Sequence, residues 1–247
     1  MSGDGQKNQN VDLKALSDVV RSVLALADEV TERTVALGSM YQQAALFLFT
    51  KSHKTFKAIC LLCESNFIED AGILLRSIFE ILVNARYIAE RPKERARLYL
   101  EYDYIMKKKA FDISDKRKWR ADDIKDILSE YNRVKDNYPD KWHWAGDSMT
   151  ISKMAQEVGL SKHYETHYWV LSNLAHTTPR AAVSYLRVTE QGLLVGNLEG
   201  RDQLFRVLRE SCIYFLEIIS INNSAFELGL EDKIDAVGRQ ASWLLKG

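Results

Sequence analysis

Two short polar stripes interrupt helical patterns that are otherwise apolar. Arg76, Glu80 and Asn84 recur every four residues, and positions so spaced lie above one another on one face of a helix. Around them Ile73, Leu74, Leu75, Ile78, Phe79, Ile81, Leu82 and Val83 leave almost no polar side, the pattern of a helix enclosed by its neighbours. Desolvating an unpaired ion is expensive, so Arg76 and Glu80 are expected to pair with each other or with a facing helix. Tyr168, Ser172 and His176 repeat the spacing on a second segment. His176 falls at its carboxyl end, near Pro179, where the helix dipole favours an imidazolium.

If the two helices face each other, the stripes supply a proton shuttle in His176, a fixed cation in Arg76 and an orienting carboxylate in Glu80. Those are the parts of metal-free phosphodiester cleavage: the imidazole relays protons for attack by a ribose hydroxyl, and the guanidinium stabilises charge on the phosphate. Tyr168, Ser172, Asn84 and Trp144 are the expected binding positions around them. The same residues also fit a plainer arrangement, an ion pair that sets helix register and a histidine that caps a helix end. That arrangement belongs to a non-catalytic interaction module, or to one that binds a small ligand or anion.

Other chemistries lack their residues. Cys60 and Cys63 form a lone CxxC inside an apolar helix, without a second pair or a preceding strand, so core packing is the expectation. The paired Glu-x-x-His motifs of a di-iron bundle, phosphate-binding glycine loops, the nucleophile elbow and the zinc-protease helix signature do not occur. No metal or cofactor is expected. Trp142, His143 and Trp144 form an aromatic run suited either to stacking on a base or to covering the core.

The elements that must carry these residues are helices. Three- and four-residue apolar spacing predicts helices over about 11–37, 39–63, 68–90, 93–115, 121–137, 150–159, 162–176, 202–228 and 231–245. Ser39 and Thr150 (or Ser148) are placed to cap amino ends, Gly38 and Gly159 to close carboxyl ends, and Pro92 to open a first turn. Between 181 and 200 the pattern changes and suits a small hairpin. With 12 Gly and 3 Pro in 247 residues and no linker, the sequence predicts an all-α, multi-helix bundle forming one domain over 11–247, behind a polar tail at 1–10.

Formal net charge is zero, so attraction to nucleic acid must come from a local patch. One exists between Lys107 and Arg120, where seven basic residues meet Asp112 and Asp115; a solvated helix face accounts for it equally well. The odd count of 3 cysteines suits a reducing compartment. Residues 1–10 are polar, without the apolar core of a secretory signal, and apolar stretches such as 71–83 are interrupted by Arg76 and Glu80, so no leader, no membrane span and a cytoplasmic location are expected.

Three segments carry a resemblance: Ala71-Gly-Ile-Leu-Leu-Arg-Ser-Ile-Phe-Glu80, Trp144-Ala-Gly-Asp-Ser148, and Tyr168-Trp-Val-Leu-Ser-Asn-Leu-Ala-His176-Thr-Thr-Pro179. Over about residues 40 to 225 the chain resembles a bacterial helical family known as domain of unknown function 5677, itself distantly similar to the HEPN superfamily. Many HEPN bundles are metal-independent ribonucleases that act as dimers in toxin–antitoxin and phage-defence systems. The resemblance therefore implies RNA as substrate, a homodimer, and an antitoxin or defence-system partner. The HEPN pattern sets Arg a few residues before the catalytic His, which matches His176. Here Trp169, Val170 and Leu171 occupy the Arg positions, and Arg76 would have to act from another helix.

Overall fold

Helix boundaries fall where the capping chemistry sits. The computed structural model describes residues 4–34, 38–115, 117, 119–139, 143–146, 148–176, 178–195 and 200–243. Helix α1 (Asp4–Arg33) precedes α2 (Met40–Glu64), which opens on a reciprocal cap: Gln42 N–H donates to Ser39 Oγ at 3.2 Å, and Ser39 N–H to Gln42 Oε1 at 3.1 Å. Arg91 ends α3 (Ile68–Glu90) and begins α4 (Pro92–Ile113), with Pro92 in the first turn where its missing N–H costs nothing. After α5 (Ala121–Val134), α6 (Ile151–Glu157) is capped by the Thr150 hydroxyl, which accepts from Lys153 N–H at 3.2 Å, and Gly159 follows at φ +73.

The next rod has three parts: α7 (Ser161–His163), a π-helical turn over Tyr164–Tyr168, and α8 (Trp169–Ala175). A 3-10 turn (Pro179–Ala181) and α9 (Ala182–Tyr185) lead into an antiparallel hairpin of β1 (Leu186–Thr189) and β2 (Gly192–Val195), with Leu186 opposite Val195 and Val188 opposite Leu193. The hairpin expected between 181 and 200 is thus present over 186–195; residues 196–199 lie outside the described residues. Helices α10 (Arg201–Phe226) and α11 (Glu231–Trp243) complete the chain.

The result is an all-α bundle carrying one small hairpin. Helices α2, α3 and α10 form its centre, and the main core draws side chains from α1 (Val23) through α3 (Phe79, Leu82) to α10 (Phe215, Ile219) and α11 (Ala241), beside a small second cluster of Ile105, Val134 and Tyr138. Because α3 is surrounded, its polar groups meet partners on several sides. Arg86 pairs with Glu217 of α10 and donates to the Val158 carbonyl at 2.8 Å. Arg95, on α4, is buried against the Tyr87 ring at 3.4 Å. Cys60, Cys63 and Cys212 are free thiols. Burial pushes Cys60 up to about 11 and Cys63 up to about 12, so both stay protonated near neutral pH. Among the described residues no helix is long and apolar enough to cross a membrane.

Candidate functional site

The stripe on α3 is a three-way brace. Arg76 Nη2 lies 2.8 Å from Glu80 Oε1 and donates to the Tyr168 hydroxyl at 2.9 Å; that hydroxyl donates to Glu80 Oε1 at 2.7 Å. The guanidinium carbon also stands 4.9 Å from the Tyr168 ring centroid. One turn further on, Asn84 Nδ2 donates to the Glu80 carbonyl at 2.7 Å, and Asn84 Oδ1 accepts from Trp144 Nε1 at 2.8 Å. The expected stripe therefore pins two segments onto α3: the π turn through Tyr168 and the 143–146 segment through Trp144. Gly72 permits the approach of α8, since a Cβ there would stand 3.2 Å from Leu171 Cδ2. Burial, followed by the hydrogen bond to Glu80, pushes Tyr168 up to about 12, so the phenol stays protonated and keeps donating.

The other expected residues lie outside this brace. His176 is the residue that ends α8; it has left helical geometry (φ −99, ψ 11), is exposed, and makes no side-chain hydrogen bond, ion pair or ring contact with any described residue. Ser172 is half-buried, and its carbonyl accepts from the His176 N–H at 3.1 Å. The structure thus joins Arg76, Glu80 and Tyr168 and leaves His176 apart from them. Trp144 is 6% exposed and held edge-on between Tyr87 and Tyr99, with ring centroids at 5.7 and 5.1 Å. The half-buried His143 ring stacks on it at 6.0 Å, so little of Trp144 is left open to a base. Trp142 lies outside the described residues, as do Lys116 and Lys118 of the basic run. Within that run Lys107 pairs with Asp103 at 2.6 Å, Lys108 with Asp112 at 2.6 Å and Arg117 with Asp115 at 3.0 Å, so much of its charge is locally balanced.

A second polar group, not anticipated from the sequence, sits on the other side of the π turn. His163 Nδ1 and His167 Nδ1 lie 3.0 and 3.1 Å from the hydroxyl of Tyr214 on α10. Glu210, one turn earlier on α10, is 3% exposed. Its Oε1 accepts from Arg209 Nη2 at 2.8 Å, whereas its Oε2 has no hydrogen-bond partner and stands 3.7 Å from His167 Nδ1. One ligand atom from each of His163, His167 and Glu210 lies within 4.8 Å of the others, so these residues are placed to hold a metal ion. Burial pushes His167 down despite the nearby Glu210 charge, which favours a neutral imidazole with a lone pair to offer. Burial and Glu210 push the Tyr214 phenol up. A cleft of ≈ 30 Å³, lined by Leu75, Thr166, His167, Val170, Gln203 and Glu210 among others, reaches the group from outside. The His-x-x-x-His spacing is visible in the sequence; its meeting with Glu210 and Tyr214, more than forty positions later, is not.

A helical bundle with a polar centre braced on α3 defines the class. Within it, the chain belongs to the family of unknown function DUF5677, whose model matches residues 42–193. The matched segment contains the Arg76–Glu80–Tyr168 brace, Trp144 and both histidines of the second group, while Glu210 and Tyr214 lie beyond it on α10. No curated protein and no solved structure matches the chain.

Proposed function

We propose that this chain is a non-catalytic helical module that binds a compact, cationic or hydrogen-bond-donating ligand in the cleft between the π turn and α10. The observation that carries this reading is Glu210 Oε2, a buried carboxylate oxygen left without a partner beside His167 at the cleft floor. A buried polar atom without a partner costs about 1–3 kcal/mol, and a ligand that satisfies it recovers that energy. The Arg76–Glu80–Tyr168 brace serves the site by fixing the rod that presents His163 and His167. The test is a thermal-shift panel of small amines, amidines and guanidines in EDTA, with Glu210→Gln beside the wild type. A ligand that raises the wild-type melting temperature and not that of the variant supports the reading; an unresponsive wild type removes it.

A second reading, a HEPN-like ribonuclease of bacterial defence or stress response acting as a dimer in the cytoplasm, has one observation in its favour. His176 is solvent-exposed at the carboxyl end of α8, where RNA has access to it. Arg76 and Glu80 are engaged by Tyr168, so the cation opposite His176 would come from a second copy of the chain. His176→Ala should then abolish RNA cleavage while leaving the fold intact. Equal cleavage by wild type and variant, or cleavage by neither, ends this reading.

A further inference from the structure

We propose that His163, His167 and Glu210 form a binding site for a first-row divalent transition-metal ion. The inference deepens the binding-module reading and rests on the same cleft. Two imidazole nitrogens and one carboxylate oxygen are the donors that zinc and non-haem iron sites use when they keep a position open for water or substrate. They come from two elements, the rod carrying the π turn and α10, and converge to within 4.8 Å. Ligands around a tetrahedral ion at about 2.0–2.1 Å stand roughly 3.3 Å apart, so closing on an ion needs only side-chain rotation. The gap of 3.7 Å between His167 and Glu210 is already close to that value.

Three features separate this group from a casual cluster. First, Glu210 is buried, and its Oε2 has no hydrogen bond of normal geometry and stands 3.7 Å from His167 Nδ1. Arg209 holds only Oε1, which orients the carboxylate and leaves the second oxygen available. Second, the Tyr214 hydroxyl touches both Nδ1 atoms and so holds both rings beside α10, and a ring that offers its Nδ1 to an ion exchanges this hydrogen bond for the metal bond. Third, the cleft of ≈ 30 Å³ suits an ion with a bound water and is too small for a drug-sized molecule. Arg206 and Arg209 stand near the cleft and the carboxylate and offset part of the negative charge, so a hard cation held by charge alone, such as Mg²⁺, is disfavoured against one held by imidazole.

The experiment starts from full-length protein stripped with chelator and dialysed. Zn²⁺, Co²⁺ or Ni²⁺ should bind at one equivalent and raise the melting temperature by roughly 5–10 °C at about a hundredfold excess over Kd. Mg²⁺ should not. Bound Co²⁺ should show visible d–d absorption with imidazole ligation, a readout that needs no variant. Glu210→Gln and, separately, the half-buried His163→Ala should each weaken binding by about tenfold or more, with circular dichroism confirming that each variant folds. Absence of stoichiometric binding, or binding that neither substitution weakens, overturns the proposal. If amines or amidines stabilise the EDTA-treated protein while metals do not, the ion is wrong and the binding module stands. If neither class stabilises it, both fall.

Discussion

The indole N–H of Trp144 donates to Oδ1 of Asn84 at 2.8 Å, across 60 positions of chain, and Asn84 passes the connection to the Glu80 carbonyl at 2.7 Å. Glu80 also receives the Tyr168 hydroxyl. Two segments distant in sequence are thus docked on consecutive turns of one helix by side-chain hydrogen bonds, which is what makes α3 the organising element of the site.

Removing either dock should loosen the fold without erasing it. Trp144→Phe keeps the edge-on contacts with Tyr87 and Tyr99 but orphans Asn84 Oδ1, and Tyr168→Phe removes the hydroxyl shared by Arg76 and Glu80. Each is expected to cost about 1–2 kcal/mol in urea denaturation. Tyr168→Phe should also couple to Arg76→Met by at least about 0.5 kcal/mol in a double-mutant cycle. Strict additivity would mean that these residues are neighbours and not a network.

Arg95 should matter more than any exposed ion pair. Its Nη1 donates to the Tyr87 carbonyl and to Glu90 Oε2, both at 2.7 Å, its Nη2 reaches Glu157 Oε2 at 3.2 Å, and it lies over the Tyr87 ring. Arg95→Ala is expected to cost about 2–3 kcal/mol, below the full cost of breaking a buried pair because Glu90 and Glu157 keep contact with water. Arg95→Lys should recover less than half of the loss, because an ammonium cannot reproduce the planar fork. Full recovery in a chemical-denaturation series would show that charge alone is at work.

High pH should unfold the protein through its buried phenols. Burial against Trp144 and Phe47 pushes Tyr99 up to about 12 from an ordinary value near 10. An acid whose folded pKa is raised contributes stability that is intact below the unfolded value and is lost as pH climbs through the folded one. The loss assigned to Tyr99 therefore falls between about pH 10 and 12 and amounts to roughly 2 kcal/mol. Tyr99→Phe should make that part of the stability–pH curve shallower, with other phenols such as Tyr168 and Tyr214 carrying the remaining slope, and leave the curve below pH 9 unchanged. An identical alkaline slope in the variant would assign the effect to other groups.

Much of the scaffold is legible in the sequence because its signals are local. Ser39 with Gln42, Pro92, Thr150 and Gly159 each act within a few residues, and each does in the structure what its type suggests. The polar stripe 76–80–84 is legible for the same reason, as a fixed spacing on an apolar helix. What the spacing cannot convey is which side chain answers it. Tyr168 does so, and His176 does not, because the helix ends at Ala175 and the imidazole follows a backbone that has already turned. Trp144 carries no local sign that its ring would be enclosed by Tyr87, Tyr99 and His143. The His163–His167–Glu210 group stayed hidden because its meaning lies in α10, and packing between distant elements has no period to read.

The π turn over Tyr164–Tyr168 has one more consequence. Each residue of an α-helix advances the rotation by about 100°, and i to i+5 bonding inserts one residue that a regular helix would not accommodate. The rod therefore serves two helices at once: Tyr168 points to α3, while His163 and His167 point to α10. His167 and Tyr168 are neighbours and so point about 100° apart, while the direction of His163 relative to both is set by how many residues lie between it and them. Losing a single position between His163 and His167 would swing one imidazole away from the other and from Tyr214, even with every polar side chain still in place.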